Sequence, residues 1–176
     1  WHLSHTPEYE HVNAISPGEA QYSKVAMGAD WAGTPAEAGV TIRVTPGTLR
    51  NFYQVACGYT GDRTGTQLGK RVDGSFTDLA NDSGATTWAA ADTVKLSGSG
   101  SSLTVQRNGS GTLLNATDSA HASGKVGIYL FRAVGGGEAY VDDFEGGDLP
   151  SSEPGDQWEG HPFSSRGVAK QVARGF

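Results

Sequence analysis

The residues best suited to chemistry lie late in the chain. Asp142-Asp143-Phe144-Glu145, followed by Asp148, is its densest carboxylate cluster. On a strand, alternate side chains share a face, which would set Asp143 and Glu145 side by side with Cα atoms roughly 7 Å apart. Two carboxylates so placed can serve as the acid/base pair of a glycoside hydrolase. The same acids, Asp142, Asp143, Glu145 and Asp148, can instead surround Ca2+, a hard cation that takes carboxylate oxygens. A third reading is a solvated or hydrogen-bonded strand end, because Glu145 runs straight into Gly146-Gly147. Among the aromatics, Trp88 follows a Gly-containing loop, in Thr86-Thr87-Trp88-Ala89. It is expected to be exposed and to offer its face to a sugar ring. Trp31, Phe52, Tyr53, Tyr59, Phe76, Tyr129 and Phe131 are likewise spread through the strands, and most of these rings are assigned to the core, since the chain has few other large apolar residues.

Other chemistry-bearing residues form no recognisable set. His2, His5 and His11 are spaced by three and six, which matches neither a helical HExxH pair nor an alternating strand set completed by a carboxylate. They read as a polar lead into a first strand. Cys57, the single cysteine, excludes an internal disulfide and sits in an apolar run, where it acts as a small hydrophobe. Gly69-Lys70 is no phosphate loop, because Thr64 stands where the first glycine is required and Arg71 replaces the Ser or Thr. Asp118, Ser119 and His121 supply the residue types of a hydrolytic triad, but within one turn-like segment.

The elements that must position these residues are strands. From Ala91 to Leu149, alternating apolar runs (Val94 and Leu96; Leu103 and Val105; Val126, Ile128 and Leu130) are separated by Gly, Ser, Asn and Asp. Such period-two spacing turns one side of a strand to a core and the other to water. Asn108-Gly109 and Asp73-Gly74 mark hairpin turns, since both residues of each pair accept positive φ. Upstream, Gln21 to Trp31 alternates, Gly39 to Val44 is a second strand, and Asn51 to Tyr59 is dense enough in apolar residues to lie centrally. About ten short strands result, with turn signals every 8 to 12 residues and no helical periodicity before position 164. The pattern predicts an all-β sandwich or barrel of antiparallel strands.

After Leu149 the character changes. Residues 150–163 read as a linker, and 164–176 as a basic tail with a possible short helix, in which Arg166, Lys170 and Arg174 recur every four residues. Eight acids and no Lys or Arg lie between Glu138 and Glu159 (Glu138, Asp142, Asp143, Glu145, Asp148, Glu153, Asp156, Glu159). An acidic strip before a basic tail suggests docking of the tail, either onto its own domain or onto a neighbour. The net charge of −6 over 176 residues argues against a general nucleic-acid binder, and no apolar run is long enough to span a membrane. The start at Trp1, without a basic-then-apolar leader, is expected of a processed chain or a piece of a longer one. Three Asn-x-Ser/Thr triplets, at Asn81, Asn108 and Asn115, arise readily in loops of this composition.

Taken in order, Gln67 to Leu79, Ala91 to Leu96, Ser102 to Gly109, Thr117-Asp118-Ser119, Ala122 to Ile128 and the ending Asp142-Asp-Phe-Glu-Gly-Gly-Asp148 resemble the concanavalin A-like (laminin G-like) jelly-roll domains of minor tail proteins of tailed phages. The resemblance covers about residues 20 to 149. It implies an all-β, two-sheet antiparallel jelly-roll sandwich, assigned to residues 1–149, in a virion protein of minor-tail or decoration type, located on a particle or outside the cell. Its implied partners are other virion proteins, through the tail, and a host-surface glycan, with a homo-oligomer left open. It transfers no catalytic set, because the fold does not fix the function. The alternatives are a carbohydrate-binding module of a secreted bacterial protein, with or without Ca2+, and a jelly-roll glycoside hydrolase using Asp143 and Glu145.

Overall fold

The structure, a computed structural model, describes residues 19–29, 36–45, 47, 50–132 and 139–150. These fold into ten strands: β1 (Gln21–Met27), β2 (Ala36–Val44), β3 (Phe52–Gly61), β4 (Thr64–Val72), β5 (Ser75–Asn81), β6 (Thr93–Ser99), β7 (Ser102–Arg107), β8 (Thr112–Thr117), β9 (Lys125–Arg132) and β10 (Val141–Asp148). Two five-stranded antiparallel sheets result. Sheet I has the order β10-β1-β6-β7-β8 and sheet II the order β5-β4-β3-β2-β9. The expected all-β jelly-roll sandwich is therefore the observed fold. The basic tail with Arg166, Lys170 and Arg174 lies outside the described residues, as does the linker after Pro150.

Strand alternation places the core between the sheets. Sheet I contributes Val25, Val94, Leu96, Leu103 and Val105; sheet II contributes Val40, Ile42, Val55, Leu68, Ile128 and Leu130. Each such side chain stabilises the sandwich by about 1.5–3 kcal/mol through removal from water. β3 occupies the middle of sheet II, as its density of apolar residues predicts, and it is buried on both faces from Phe52 to Gly58. The hairpin signals also hold. Asp73 and Gly74 have φ of 51° and 85°, and Asn108 and Gly109 have 52° and 66°. The Ser110 N–H donates to the Arg107 carbonyl at 2.9 Å across the second turn. Both turns thus have the paired left-handed residues that match the twist of a two-stranded ribbon.

The two ends of the sandwich are closed differently. At one end Trp88 is inserted beside Thr66, held by the loop after β5. At the other, the pairing of β2 shifts between Thr41 and Val44, and Arg43 adopts φ 55°. That bulge turns Arg43 inward, where it is fully buried. Its guanidinium donates to the carbonyls of His121 and Glu19, both at 2.9 Å, and lies 5.9 Å from the centre of the Tyr53 ring. Donation to carbonyls and an aromatic face offset part of the cost of burying a charge.

Candidate functional site

In a sandwich, each sheet has an outer face that reads the other phase of the strand alternation. On sheet II that phase carries Glu37 and Thr41 from β2, Phe52 and Gln54 from β3, Gln67 and Arg71 from β4, Phe76 and Asp78 from β5, and Tyr129 and Phe131 from β9. Seven of them, Glu37, Gln54, Gln67, Arg71, Phe76, Tyr129 and Phe131, line a shallow pocket of about 210 Å³.

The pocket is built around Phe76. β4 and β5 pair with Arg71 opposite Phe76 and Gly69 opposite Asp78. Gly69 has no side chain, so the Phe76 ring lies across its Cα: a Cβ there would meet two ring carbons at 2.2 and 2.4 Å. The ring stays 37% exposed, one of two large apolar side chains so exposed among the described residues. The Arg71 guanidinium lies 5.4 Å from the ring centre, donates from Nε to Gln54 Oε1 at 3.0 Å and from Nη1 to the Gly74 carbonyl at 3.1 Å. Gln54, though on an outer face, is only 2% exposed. Across the pocket the Tyr129 hydroxyl donates to Glu37 Oε2 at 2.9 Å. Burial pushes the Glu37 carboxyl above the usual carboxylate range, against the opposing effects of the Tyr129 hydrogen bond and the Arg71 charge. Gln67 Nε2 donates to Asp78 Oδ2 at 3.1 Å. Thr41 Oγ1, fully buried in the same phase, has no protein partner.

This arrangement combines a presented aromatic ring with a guanidinium, a carboxylate and two amides whose geometry is fixed before any ligand arrives. Such groups can match the C–H face and the closely spaced hydroxyls of a sugar, where binding needs a few placed polar groups beside an apolar surface.

The residues singled out from the sequence fall elsewhere. Trp88 is not a platform: it is 1% exposed. Its Nε1–H donates to Thr66 Oγ1 at 3.2 Å, and the Arg107 guanidinium covers its ring at 5.2 Å. The loop that carries it is folded over by Asp82, whose carboxylate accepts the N–H groups of Thr66 (2.8 Å), Gly84 (3.0 Å) and Thr86 (3.1 Å). Burial alone would raise the Asp82 pKa, but those hydrogen bonds outweigh it and hold the carboxyl below its ordinary range. A glycine-containing loop thus buries its tryptophan instead of displaying it.

The carboxylate cluster is also dispersed. The pairing of β1 with β10 shifts between Lys24 and Ala26, and Asp143 has φ 49°. This bulge breaks the alternation that would have put Asp143 beside Glu145. Glu145 is opposite Lys24, Asp142 is opposite Ala26, and Asp148 is opposite Gln21. Glu145 accepts from the Tyr22 hydroxyl at 2.6 Å and from Lys24 Nζ at 3.1 Å, contacts that keep it ionised below the usual range. A carboxylate so held is a poor proton donor. The described residues contain no group of three or more His, Cys, Asp or Glu placed to hold a metal ion, so Asp142, Asp143, Glu145 and Asp148 do not converge on a Ca2+ site.

Asp118 and His121 are likewise engaged apart from each other. Asp118 accepts from the Tyr53 hydroxyl at 2.7 Å and the Ala120 N–H at 2.9 Å, and pairs with Lys70. His121 Nε2–H donates to the Arg71 carbonyl at 2.8 Å. They pin the loop after β8 to sheet II and make no triad. Cys57 is fully buried, and burial pushes its thiol well above the ordinary value, which leaves it unreactive.

The sequence carries one signal for the pocket. In Ser75-Phe-Thr-Asp-Leu79, Phe76 shares its phase with Asp78 and not with Leu79. An aromatic on the polar phase of a strand is a candidate for display.

Comparison with solved structures places this fold among known ones. The carbohydrate-binding module CBM66 from Bacillus subtilis superposes with a TM-score of 0.62 at 12% identity, over 76% of this chain and 77% of that one. Chicken galectin 2 gives 0.54 at 8%, over 80% and 99%. The β-glucanase of Bacillus licheniformis gives 0.54 at 14%, over 73% and 66%. At these identities the likeness is one of fold: a two-sheet antiparallel jelly roll. No protein-family model matches the sequence, and no curated protein matches it.

Proposed function

We propose that this domain is a carbohydrate-binding module that holds a saccharide against the outer face of sheet II. The observation that carries the reading is the exposed Phe76 ring laid over Gly69 and bordered by Arg71, Gln54, Gln67 and the Glu37–Tyr129 pair. The pocket volume of about 210 Å³ is below the ~300–1,000 Å³ of enclosing small-molecule sites, which suits one unit of a longer glycan. Two of the similar folds named above are a carbohydrate-binding module and a galectin, which supports the same class of ligand. The test is affinity electrophoresis against a panel of neutral polysaccharides, with and without Ca2+. Retardation by at least one polymer, lost in Phe76→Ala and Arg71→Ala, is the expected result. Retardation that both variants retain would put the ligand elsewhere, and no retardation by any polymer would end the proposal.

The finer proposal concerns where the module works. Display on a tailed-phage particle, as a minor tail or decoration protein anchored through residues 164–176, is supported by the motif resemblance, in particular the Asp142–Leu149 ending. Quantitative mass spectrometry of salt-washed particles tests it. A fixed copy number per particle is expected. Absence from particles, with the chain free in the medium, would leave a secreted binding module.

A further inference from the structure

The outer face of sheet I forms a second groove, of about 590 Å³, on the opposite side of the sandwich from the pocket at Phe76. Its floor lies on four members of one rung, Glu145, Lys24, Lys95 and Gln106, and the rung continues beyond the groove to β8. Glu145 of β10 stands opposite Lys24 of β1, Lys24 opposite Lys95 of β6, Lys95 opposite Gln106 of β7, and Gln106 opposite Thr112 of β8. Two lysines directly opposite each other in neighbouring strands repel, an arrangement that costs a sheet stability. Lys24 is ion-paired with Glu145 at 3.1 Å, and Lys95 feels the same carboxylate only through space. Lys95 instead rests its ammonium over the Tyr22 ring, 4.6 Å from the centre. Of the described residues lining the groove, two are cations and one is an anion. The groove therefore carries a net positive charge on a chain whose formal charge is −6.

We propose that this groove binds an acidic saccharide, with the Lys24–Lys95 pair taking the sugar carboxylate. An anion between the two ammonium groups relieves their repulsion. The hydroxyl and amides that line the groove, those of Thr93, Gln106 and Asn108, match sugar hydroxyls. Apart from Tyr22 the described lining has no large apolar side chain, so nothing there would seat the side chains of a peptide.

The test is isothermal titration of the full chain with oligogalacturonate, alongside its carboxyl-reduced, uncharged counterpart. Oligogalacturonate should bind, and Lys95→Gln should weaken it about fivefold, the scale of one exposed ion pair. Raising NaCl from about 0.1 to about 1 M, which shortens the screening length from about 10 to about 3 Å, should weaken it further. Gln106→Ala should also weaken it, Arg71→Ala should not, and the reduced oligomer should lose this binding. Thermal unfolding of each variant checks that it is folded. Four results would overturn the proposal: no binding, binding indifferent to Lys95→Gln, binding lost in Arg71→Ala, or equal binding of the reduced oligomer. If poly-glutamate bound as tightly as oligogalacturonate with the same Lys95 dependence, the groove would be a surface for acidic peptides and the saccharide assignment would fall. Because Arg71 and Lys95 lie on different sheets, failure here is separable from failure of the Phe76 pocket.

Discussion

Gly69 offers a way to disable the Phe76 pocket without removing any group that contacts ligand. Its backbone is not in the left-handed region, so Gly69→Ala meets no backbone penalty, and alanine suits a strand interior better than glycine by about 0.5–1 kcal/mol. The obstacle is the Phe76 ring, whose Cε2 and Cζ would lie 2.2 and 2.4 Å from the new Cβ, with the Thr77 carbonyl oxygen at 2.9 Å. The ring is the exposed end of a side chain at the sheet edge and can swing aside. An off-rotamer χ costs about 0.5–1.5 kcal/mol, and loss of the Arg71 cation–π contact about 0.5–1 kcal/mol. Set against the alanine gain, these two costs leave a net destabilisation of about 0–2 kcal/mol, a Tm fall of up to about 8 °C for a chain of this size, at about 2–4 °C per kcal/mol; the shift that the Thr77 carbonyl must also make adds to it. Saccharide affinity should suffer more visibly, because the platform is displaced: a loss of about 1 kcal/mol of ring contact is about fivefold in Kd. Titration calorimetry of Gly69→Ala, Phe76→Ala and the double variant forms a cycle. If glycine acts only by letting the ring lie flat, the double variant binds no more weakly than Phe76→Ala alone. Parent-like affinity in Gly69→Ala, or losses that add in the double variant, would refute the reasoning.

Glu37, whose folded pKa is raised by burial, disfavours its own ionisation in the fold; its favourable contribution to stability is present below the unfolded pKa and is lost as pH rises through the folded one. Binding that uses the Glu37 carboxylate should run the other way and weaken as pH falls through that raised value, and Glu37→Gln should flatten the affinity–pH profile. Asp118 is the opposite case: burial acts to raise it, but contacts from Lys70, Tyr53 and Ala120 outweigh that and hold it low, so its contribution is present above the ordinary carboxylate pKa and disappears as pH falls through the folded value. Asp118→Asn should cost about 1–3 kcal/mol near neutral pH and reduce the acid sensitivity of Tm in urea or thermal melts; an unchanged acid limb would show that the Lys70 contact is incidental. Trp88→Ala should destabilise by about 3–5 kcal/mol, as for a fully buried ring, while a folded remnant keeps its saccharide affinity at Phe76. Lost affinity with little change in stability would return Trp88 to the surface.

The sequence alone determined the strands, their turns and the central place of β3, because these depend on local rules. Period-two alternation separates the faces, paired positive-φ residues mark Asp73-Gly74 and Asn108-Gly109, and a run apolar on both faces belongs in the middle of a sheet. Which residues come together was decided by tertiary structure. The bulge at Asp143 turned a carboxylate cluster of consecutive residues into separate partners of β1, a shift in phase that alternation cannot foresee because it assumes an unbroken period. The burial of Trp88 follows from Asp82 gathering the N–H groups of Thr66, Gly84 and Thr86 around one carboxylate, a contact made only once β4 and the loop after β5 are adjacent. The pocket at Phe76 draws Glu37, Gln54, Gln67, Arg71 and Tyr129 from four strands, and the rung from Glu145 to Thr112 draws on five. Cross-strand neighbours are set by register and strand order, which follow from sheet pairing over long sequence separations and leave no fixed spacing along the chain.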